Sequence, residues 1–353
     1  MSRALPLPDF THERVVIETG PRSGLVIAVA LHSSALGQAL GGCRMWPYPQ
    51  WDDALGDVLR LSSAMTLKNA AAGLDAGGGK SVIALRPGER IDEGRRRAAL
   101  LDLGDIVESF GGSYRTAEDV GTTEDDMVIV RERTEHVVGT PLGLGGAGEP
   151  AGPTSLGVYS SVAPTLLEAT GSGEIAGRRI VISGLGQVGG RLARLLAADG
   201  AELLITDIDT GKQTLAEELG ATWIDASEAL STEADVFIPA GIGGILTDEA
   251  IAGLMVQAVV GPANNPLAER DGAAQLAARG IVYAPDFVVN AGGVIYLTLA
   301  ADGVGQDEID ARVRGIGDTL TMVYQDARDR QVTPLAAAED LAYGRISTAD
   351  ATS

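Results

Sequence analysis

Positive charge is scarce in this 353-residue chain, and lysine is its scarcest form: of 27 lysines and arginines, only Lys68, Lys80 and Lys212 are lysines. Set against 48 acidic residues, this leaves a formal net charge of -21. A field of that sign repels polyanions, so nucleic acid and anionic membrane surfaces are unsuitable partners. A single cysteine, Cys43, excludes an internal disulfide, and His12, His32 and His136 lack the spacing of a zinc site, so no metal is expected. No uncharged apolar run reaches the ~18 residues of a membrane span. The stretch MSRALPLPDFTHERV has no continuous apolar core of a secretion signal, and a cytoplasmic location is expected. What the chain does have is 45% hydrophobic residues, enough at this length for two buried cores.

The pattern is α/β. Strand-like runs (GLVIAVALH, KSVIAL) alternate with helix-like ones (DDALGDVLRLSSAM, GRRRAALLDLGDIVESF) in the first third. The glycine-rich GTPLGLGGAGEPAGP, residues 139–153, reads as the linker. Beyond a helix at about Thr154 to Thr170, the runs RIVISG, AELLITD, ADVFIPAG, QAVVGPANN and GIVYAP are short and nearly all apolar, as strands of a parallel sheet buried on both faces should be. Residues 306–330 read as one long charged helix, followed by a short helix and a polar tail.

RIVISGLGQVGGRLARLLAADGAELLITDID carries Gly184, Gly186 and Gly189 in G-x-G-x-x-G spacing, with Gln187 and Val188 between the last two. The spacing follows a strand and opens a helix, where backbone amides can meet a pyrophosphate at the positive helix end. A second strand ends at Asp207, placed to accept hydrogen bonds from the adenosine ribose hydroxyls and to repel a 2'-phosphate. The expected cofactor is NAD rather than NADP. The resulting division is an α/β substrate domain at residues 1–142, a Rossmann-type NAD domain at 143–328, and residues 329–353 returning to the first, with an inter-domain cleft as the active site.

Two of the three lysines bracket KNAAAGLDAGGGK, residues 68–80. GGGKS resembles the end of a phosphate-binding P-loop, but the required glycine six residues before the lysine is Leu74. A lone lysine can rest its stem on apolar surface. This pair differs, because Lys68 ends an apolar helix and Lys80 opens a buried strand, so both heads are expected in one crevice. Two close ammonium groups disfavour each other's charge, which suits one to binding a carboxylate and the other to proton transfer. In YRTAEDVGTTEDDM, Asp119 is the candidate catalytic carboxylate, whereas Glu124, Asp125 and Asp126 read as the first turn of a helix capped by Thr122 or Thr123.

LGGCR, MTLKNAAAGLDAGGGKSVI, YRTAEDVGTT, GLGQVG, GPANN and APDFVVNAGGVI, in that order, resemble the glutamate/leucine/phenylalanine/valine dehydrogenase family, in its short branch acting on apolar amino acids. The resemblance implies reversible oxidative deamination of an L-amino acid to the 2-oxo acid and ammonia, by a homo-oligomer. It implies that Lys68, with the Gly42 backbone and Asn264, holds the substrate α-carboxylate. Lys80 would activate water against the imino carbon, Asp119 would exchange protons with the amino group, and Asn290 would face the nicotinamide. Glutamate-specific members place a lysine and a serine where this chain has Leu40 and Leu297, so a side-chain carboxylate would lack a partner. Among apolar substrates, Ala117 points to leucine and valine, and Leu297 to phenylalanine. Branched-chain substrates are the first expectation, phenylalanine the second, and a catalytically silent NAD-binding sensor the alternative of another kind. Cys43, where threonine is usual, and Ala240-Gly241, where Cys-Ala is frequent, depart from the family near the expected nicotinamide pocket.

Overall fold

RVVIET and VIAVALHS pair as antiparallel strands β1 (Arg14–Thr19) and β2 (Val26–Ser33). The computed structural model that places them describes residues 10–144 and 148–350, which fall into two compact units. The first unit takes in the chain through Ala70, Asp75–Gly148 and the end from Thr348, and the second takes in Ala71–Leu74 and Glu149–Ser347. The architecture is two-domain α/β. Among the described residues no helix is long and apolar enough to cross a membrane, and no group of histidine, cysteine and acidic residues could hold a metal.

In the first unit, β3 (Ala39–Leu40), β4 (Cys43–Pro47), helix α1 (Trp51–Ala71), β5 (Gly78–Leu85), α2 (Glu93–Glu108), β6 (Tyr114–Arg115) and α3 (Glu124–Arg131) follow the first two strands. The sheet order is β1-β2-β5-β3-β6, and β4 also pairs with β5. Thus residues 39–47 run parallel to β5 along one edge, with a break at Gly41-Gly42 between Leu40↔Gly78 and Cys43↔Ser81. Alternation assigns the faces. Ala28, Ala30 and Val82 pack on Ala54 and Val58 of α1, whereas Ile27, Val29 and Ile83 pack with Ala99, Leu100 and Leu103 of α2. Both faces of β5 are therefore covered. Fully burying an aliphatic side chain such as these stabilises the fold by roughly 1.5–3 kcal/mol.

The second unit opens with α4 (Ala151–Thr170) and continues as β7 (Arg179–Ser183), α5 (Gln187–Ala198), β8 (Glu202–Thr206), α6 (Gln213–Leu219), β9 (Thr222–Trp223), β10 (Val236–Pro239), α7 (Asp248–Gly253), β11 (Ala258–Val259), α8 (Gly272–Ala278) and β12 (Val282–Tyr283). All six strands are parallel, in the order β12-β11-β10-β7-β8-β9. This is the doubly wound order, with its switch point between β7 and β10. The five short apolar runs of the sequence are β7, β8, β10, β11 and β12, whereas the two-residue edge strand β9 is not among them.

The C-terminal part is α9 (Asp286–Val289), α10 (Gly292–Ala301), α11 (Gln306–Arg314), α12 (Ile316–Arg330) and α13 (Pro334–Asp350). The single helix expected at 306–330 is divided at Gly315. Glycine is the weakest helix former after proline. A second glycine, Gly317, then lets α12 lie close to α4, since a Cβ there would come within 2.4 Å of the Ser160 carbonyl. The short terminal helix expected from the sequence is instead 17 residues long. Pro334 opens it in the position proline favours, and Thr333 Oγ1 accepts the Ala336 amide.

Candidate active site

The break between β3 and β4 is forced by contact. A Cβ on Gly41 would lie 1.7 Å from the Gly79 carbonyl oxygen, and one on Gly42 would lie 2.3 Å from the Glu118 carbonyl oxygen. Only glycine permits this convergence of three backbones. The last turns of α1 press on the same point: Thr66 would clash with any side chain at Gly78, and Asn69 Nδ2 donates to the Gly77 carbonyl at 2.5 Å. Lys68, half-buried in the last turn of α1, is therefore brought to the end of β5 that carries Lys80.

Lys80 lies on the α1 face of the sheet, in register with Ala30, and only 5% of it is exposed. Its Nζ is 3.0 Å from Asp119 Oδ2. The same oxygen accepts Arg44 Nε at 3.2 Å. Arg44 stands opposite Val82 on the neighbouring strand, so it shares the face of Lys80. Burial alone would push the Asp119 carboxyl up, but Lys80 and Arg44 outweigh it and hold the group below the usual carboxylate range. Asp119 is thus a carboxylate at neutral pH.

The loop that presents Asp119 is fixed by its own backbone. Thr122 Oγ1 accepts the Asp119 amide at 2.9 Å and donates to the Cys43 carbonyl at 2.8 Å. Of the two candidate caps, Thr123 is the one that opens α3, in a reciprocal capping box with Asp126. Cys43 is fully buried behind this loop, and burial pushes its thiol up to about 12. It remains a neutral packing group. Leu40 and Ala117 are 1% and 3% exposed, and Cys43 N donates to the Ala117 carbonyl at 2.8 Å, so both belong to the same converging strands.

Arg44, Asp57, Tyr48 and Thr122 around this pair were not legible as site residues. Arg44 lies inside the LGGCR motif, two residues beyond Gly42, which is the one signal that could have drawn attention to it. Its partner Asp57 is in α1, and nothing in the spacing announces the contact.

In the second unit, β7 runs into Gly184, Leu185 and Gly186 and then into α5. Gly184 has φ +106°, and a Cβ on it would meet the Ala240-Gly241 peptide at 2.8 Å, which ties together the loops after β7 and β10 at the switch point. Gly189 is pressed on the Gly184 carbonyl, with 2.1 Å left for a Cβ. Gly186 is different: nothing lies within 4 Å of its Cβ position, and no side chain caps α5. An open backbone at an uncapped helix N-terminus, beside the exposed Gln187 and half-buried Val188, fits a pyrophosphate.

Asp207 follows β8, and its carboxylate bridges the two loops: Oδ2 accepts Leu185 N-H at 2.6 Å and Oδ1 accepts Asp209 N-H at 2.9 Å. Each oxygen keeps a lone pair for a ribose hydroxyl. Asn290, 6% exposed at the C-cap of α9, donates from Nδ2 to the Pro262 carbonyl at 3.2 Å and to Asn264 Oδ1 at 3.1 Å. Its own Oδ1 is buried with no hydrogen-bond donor among the described residues. Asn264 is exposed, and Leu297 on α10 is 7% exposed. The first unit thus brings Leu40, Gly42, Lys80, Ala117 and Asp119 together, with Lys68 on the adjoining turn, and the second brings Asn264 to Asn290.

Comparison with known proteins establishes the family. The family profile described as Glu/Leu/Phe/Val dehydrogenase, dimerisation domain, matches residues 14–136, and that described as Glutamate/Leucine/Phenylalanine/Valine dehydrogenase matches 205–352. The chain belongs to the Glu/Leu/Phe/Val dehydrogenase family. It is 39% identical over 343 residues to a leucine dehydrogenase of Bacillus cereus, covering 97% of this chain and 93% of that protein. It is 38% identical over 353 residues to a phenylalanine dehydrogenase of Bacillus thermotolerans, covering 96% and 91%. The crystal structure of L-tryptophan dehydrogenase from Nostoc punctiforme superimposes with a TM-score of 0.82 at 33% identity, covering 97% of both chains. Membership in this dehydrogenase family, with the doubly wound sheet, implies a nicotinamide cofactor.

Proposed function

We propose that this family member catalyses the reversible, NAD-dependent oxidative deamination of an apolar L-amino acid, of the branched-chain aliphatic type, to the 2-oxo acid and ammonia. The observation that carries the reading is the Lys80-Asp119 pair, 3.0 Å apart on a lysine that is 5% exposed. A buried amine in contact with a carboxylate can move a proton between two stated atoms, Nζ and Oδ2, without bulk water.

Gly186, Gln187, Val188 and Gly189 would hold the pyrophosphate at the head of α5, and Asp207 the adenosine ribose, which favours NAD over its phosphorylated form. Asn290 would offer its donor-less Oδ1 to the nicotinamide end. When bound, the nicotinamide accepts a hydride from the substrate Cα. The protein's own groups do the rest. Lys68, with the Gly42 backbone and Asn264, holds the α-carboxylate. Asp119 takes a proton from the amino group before hydride leaves Cα, and Lys80 takes one from the water that adds to the imino carbon. Asp119 then returns its proton to the nitrogen, the new hydroxyl gives up its own as the C=O bond forms, the C-N bond breaks and ammonia leaves.

Leu40, Ala117 and Leu297 favour an aliphatic side chain, because a charged one would lose its hydration without gaining a partner. The phenylalanine reading is kept as a second outcome, since a phenylalanine dehydrogenase and a leucine dehydrogenase are similar to this chain to the same degree. We also place the working form as a homo-oligomer, on the family description of residues 14–136 as a dimerisation domain. The test is NADH formation from leucine, valine, isoleucine and phenylalanine at alkaline pH. Highest kcat/KM with a branched-chain substrate supports the reading, preference for phenylalanine reverses the order of the two, and no NADH from any of them leaves an NAD-binding sensor.

A further inference from the structure

Asp119 has two oxygens and uses them unequally. Lys80 Nζ and Arg44 Nε both bind Oδ2, at 3.0 and 3.2 Å, and Oδ1 accepts no hydrogen bond from a described residue. The two cations are not equivalent in chemistry. If Lys80 is to accept a proton it must be neutral for part of the cycle, and its hold on the carboxylate then weakens. Arg44 never gives up its charge in a protein. It can anchor Oδ2 throughout.

Arg44 is itself held from behind. Its NH1 reaches Asp57 Oδ2 at 3.0 Å, the same oxygen accepts Tyr48 O-H at 2.7 Å, and Asp57 Oδ1 accepts Arg60 NH2 at 2.6 Å. Burial disfavours the Asp57 charge, but Tyr48, Arg44 and Arg60 together hold its carboxyl below the usual range. An open groove of about 510 Å³ borders Arg44, Tyr48, Asp57 and Arg60, so solvent reaches the outer half of this chain of contacts. At the inner end the Lys80 side chain is nearly covered, while that of Asp119 is 22% exposed.

We propose that Arg44, braced by Asp57, is a positioning residue for the deamination: it fixes Asp119 by Oδ2 so that Oδ1 faces the substrate amine while Lys80 changes its protonation. The proposal rests on the function argued above. A guanidinium bridging two carboxylates sets an orientation that a flexible point charge cannot, so lysine is no substitute.

The experiment is a double-mutant cycle on the full-length enzyme. Arg44→Met is expected to lower kcat about 100-fold, the cost of a displaced reacting group, with KM for the amino acid and Kd for NAD within about threefold of wild type. In an Asp119→Asn background the same substitution should change kcat less than about twofold, since two residues acting through one another are not additive. Arg44→Lys should recover kcat only to about a tenth of wild type, and Asp57→Asn, a milder change if Arg44→Met does not fold, should lower it about 3- to 10-fold. An equal loss of kcat with and without Asp119, as a general loosening of the fold would give, overturns the proposal, as does a loss confined to KM or Kd. A wild-type enzyme inactive on every amino acid overturns the proposed function and this role with it. An active wild type with Arg44→Met unimpaired overturns this role alone.

Discussion

The two units prepare their sites by opposite means. In the first, the proposed chemistry would be carried by side chains locked into one another: Lys80, Asp119, Arg44, Asp57 and Tyr48 form an unbroken series of ionic and hydrogen-bonded contacts. In the second it is carried by main chain, with glycines that leave Gly186 bare at the head of α5. A network of charges is sensitive to pH and to the loss of any member. A bare backbone is sensitive only to what is added to it.

The largest effect expected from this contrast is at Lys80. Lys80→Ala should lower kcat by roughly 10³- to 10⁴-fold, the upper range for a lost general acid-base group, while the NAD dissociation constant, read by NADH fluorescence, stays within about twofold. Loss of NAD binding in that variant would dissolve the distinction between the units.

Next come two glycines three residues apart. Gly189→Ala forces a methyl against the Gly184 carbonyl and should cost about 1–3 kcal/mol of stability, read as a lower Tm. Gly186→Ala enters open space at φ -68°, so Tm should hold, while NAD binds roughly tenfold more weakly, equivalent to ~1.4 kcal/mol. Equal Tm losses at both positions would remove the case for a bare cradle at Gly186.

Acid should separate the units as well. Asp119 and Asp57 have folded-state values below their ordinary 3.8, so the stability they contribute is full above that value and is lost as pH falls through the lowered ones. In the second unit the Asp225 carboxyl is held low by its hydrogen bonds from Ser227, but it is exposed and contributes little to stability. Brief pepsin digestion near pH 3, below that ordinary value of 3.8, should therefore cut first within the first unit. First cuts in the second unit would contradict the contrast.

The smallest effect concerns selectivity. Ala117→Gly should move the ratio of kcat/KM values toward phenylalanine and away from leucine by about tenfold, within the ~1–3 kcal/mol that one methyl group commands. An unchanged ratio would mean that Ala117 does not bound the side-chain pocket.

The sequence was most informative where structure is local. Gly184, Gly186 and Gly189 specify a strand-turn-helix by spacing alone, and the apolar runs that follow could only be buried parallel strands. It was least informative where partners come from separate elements. Arg44 and Asp57 meet because β4 and α1 share a face of the sheet, a consequence of register that no spacing encodes. Thr122 and Thr123 are adjacent and chemically alike, yet one caps α3 and the other secures the Asp119 amide. Gly315, one residue in a strongly charged helical pattern, was enough to divide a helix that periodicity joined.

Scarcity of lysine has a practical consequence. Besides the amino terminus, amine-directed reagents have three targets, and Lys80 is screened by its ion pair and its 5% exposure, while Lys68 and Lys212 are both partly accessible. Acylation or aldehyde fixation would therefore fall on Lys212 and on Lys68 beside the proposed reacting groups, and of these two a substrate analogue would shield Lys68 alone. On this enzyme a dye meant for random surface labelling becomes a footprint of occupancy.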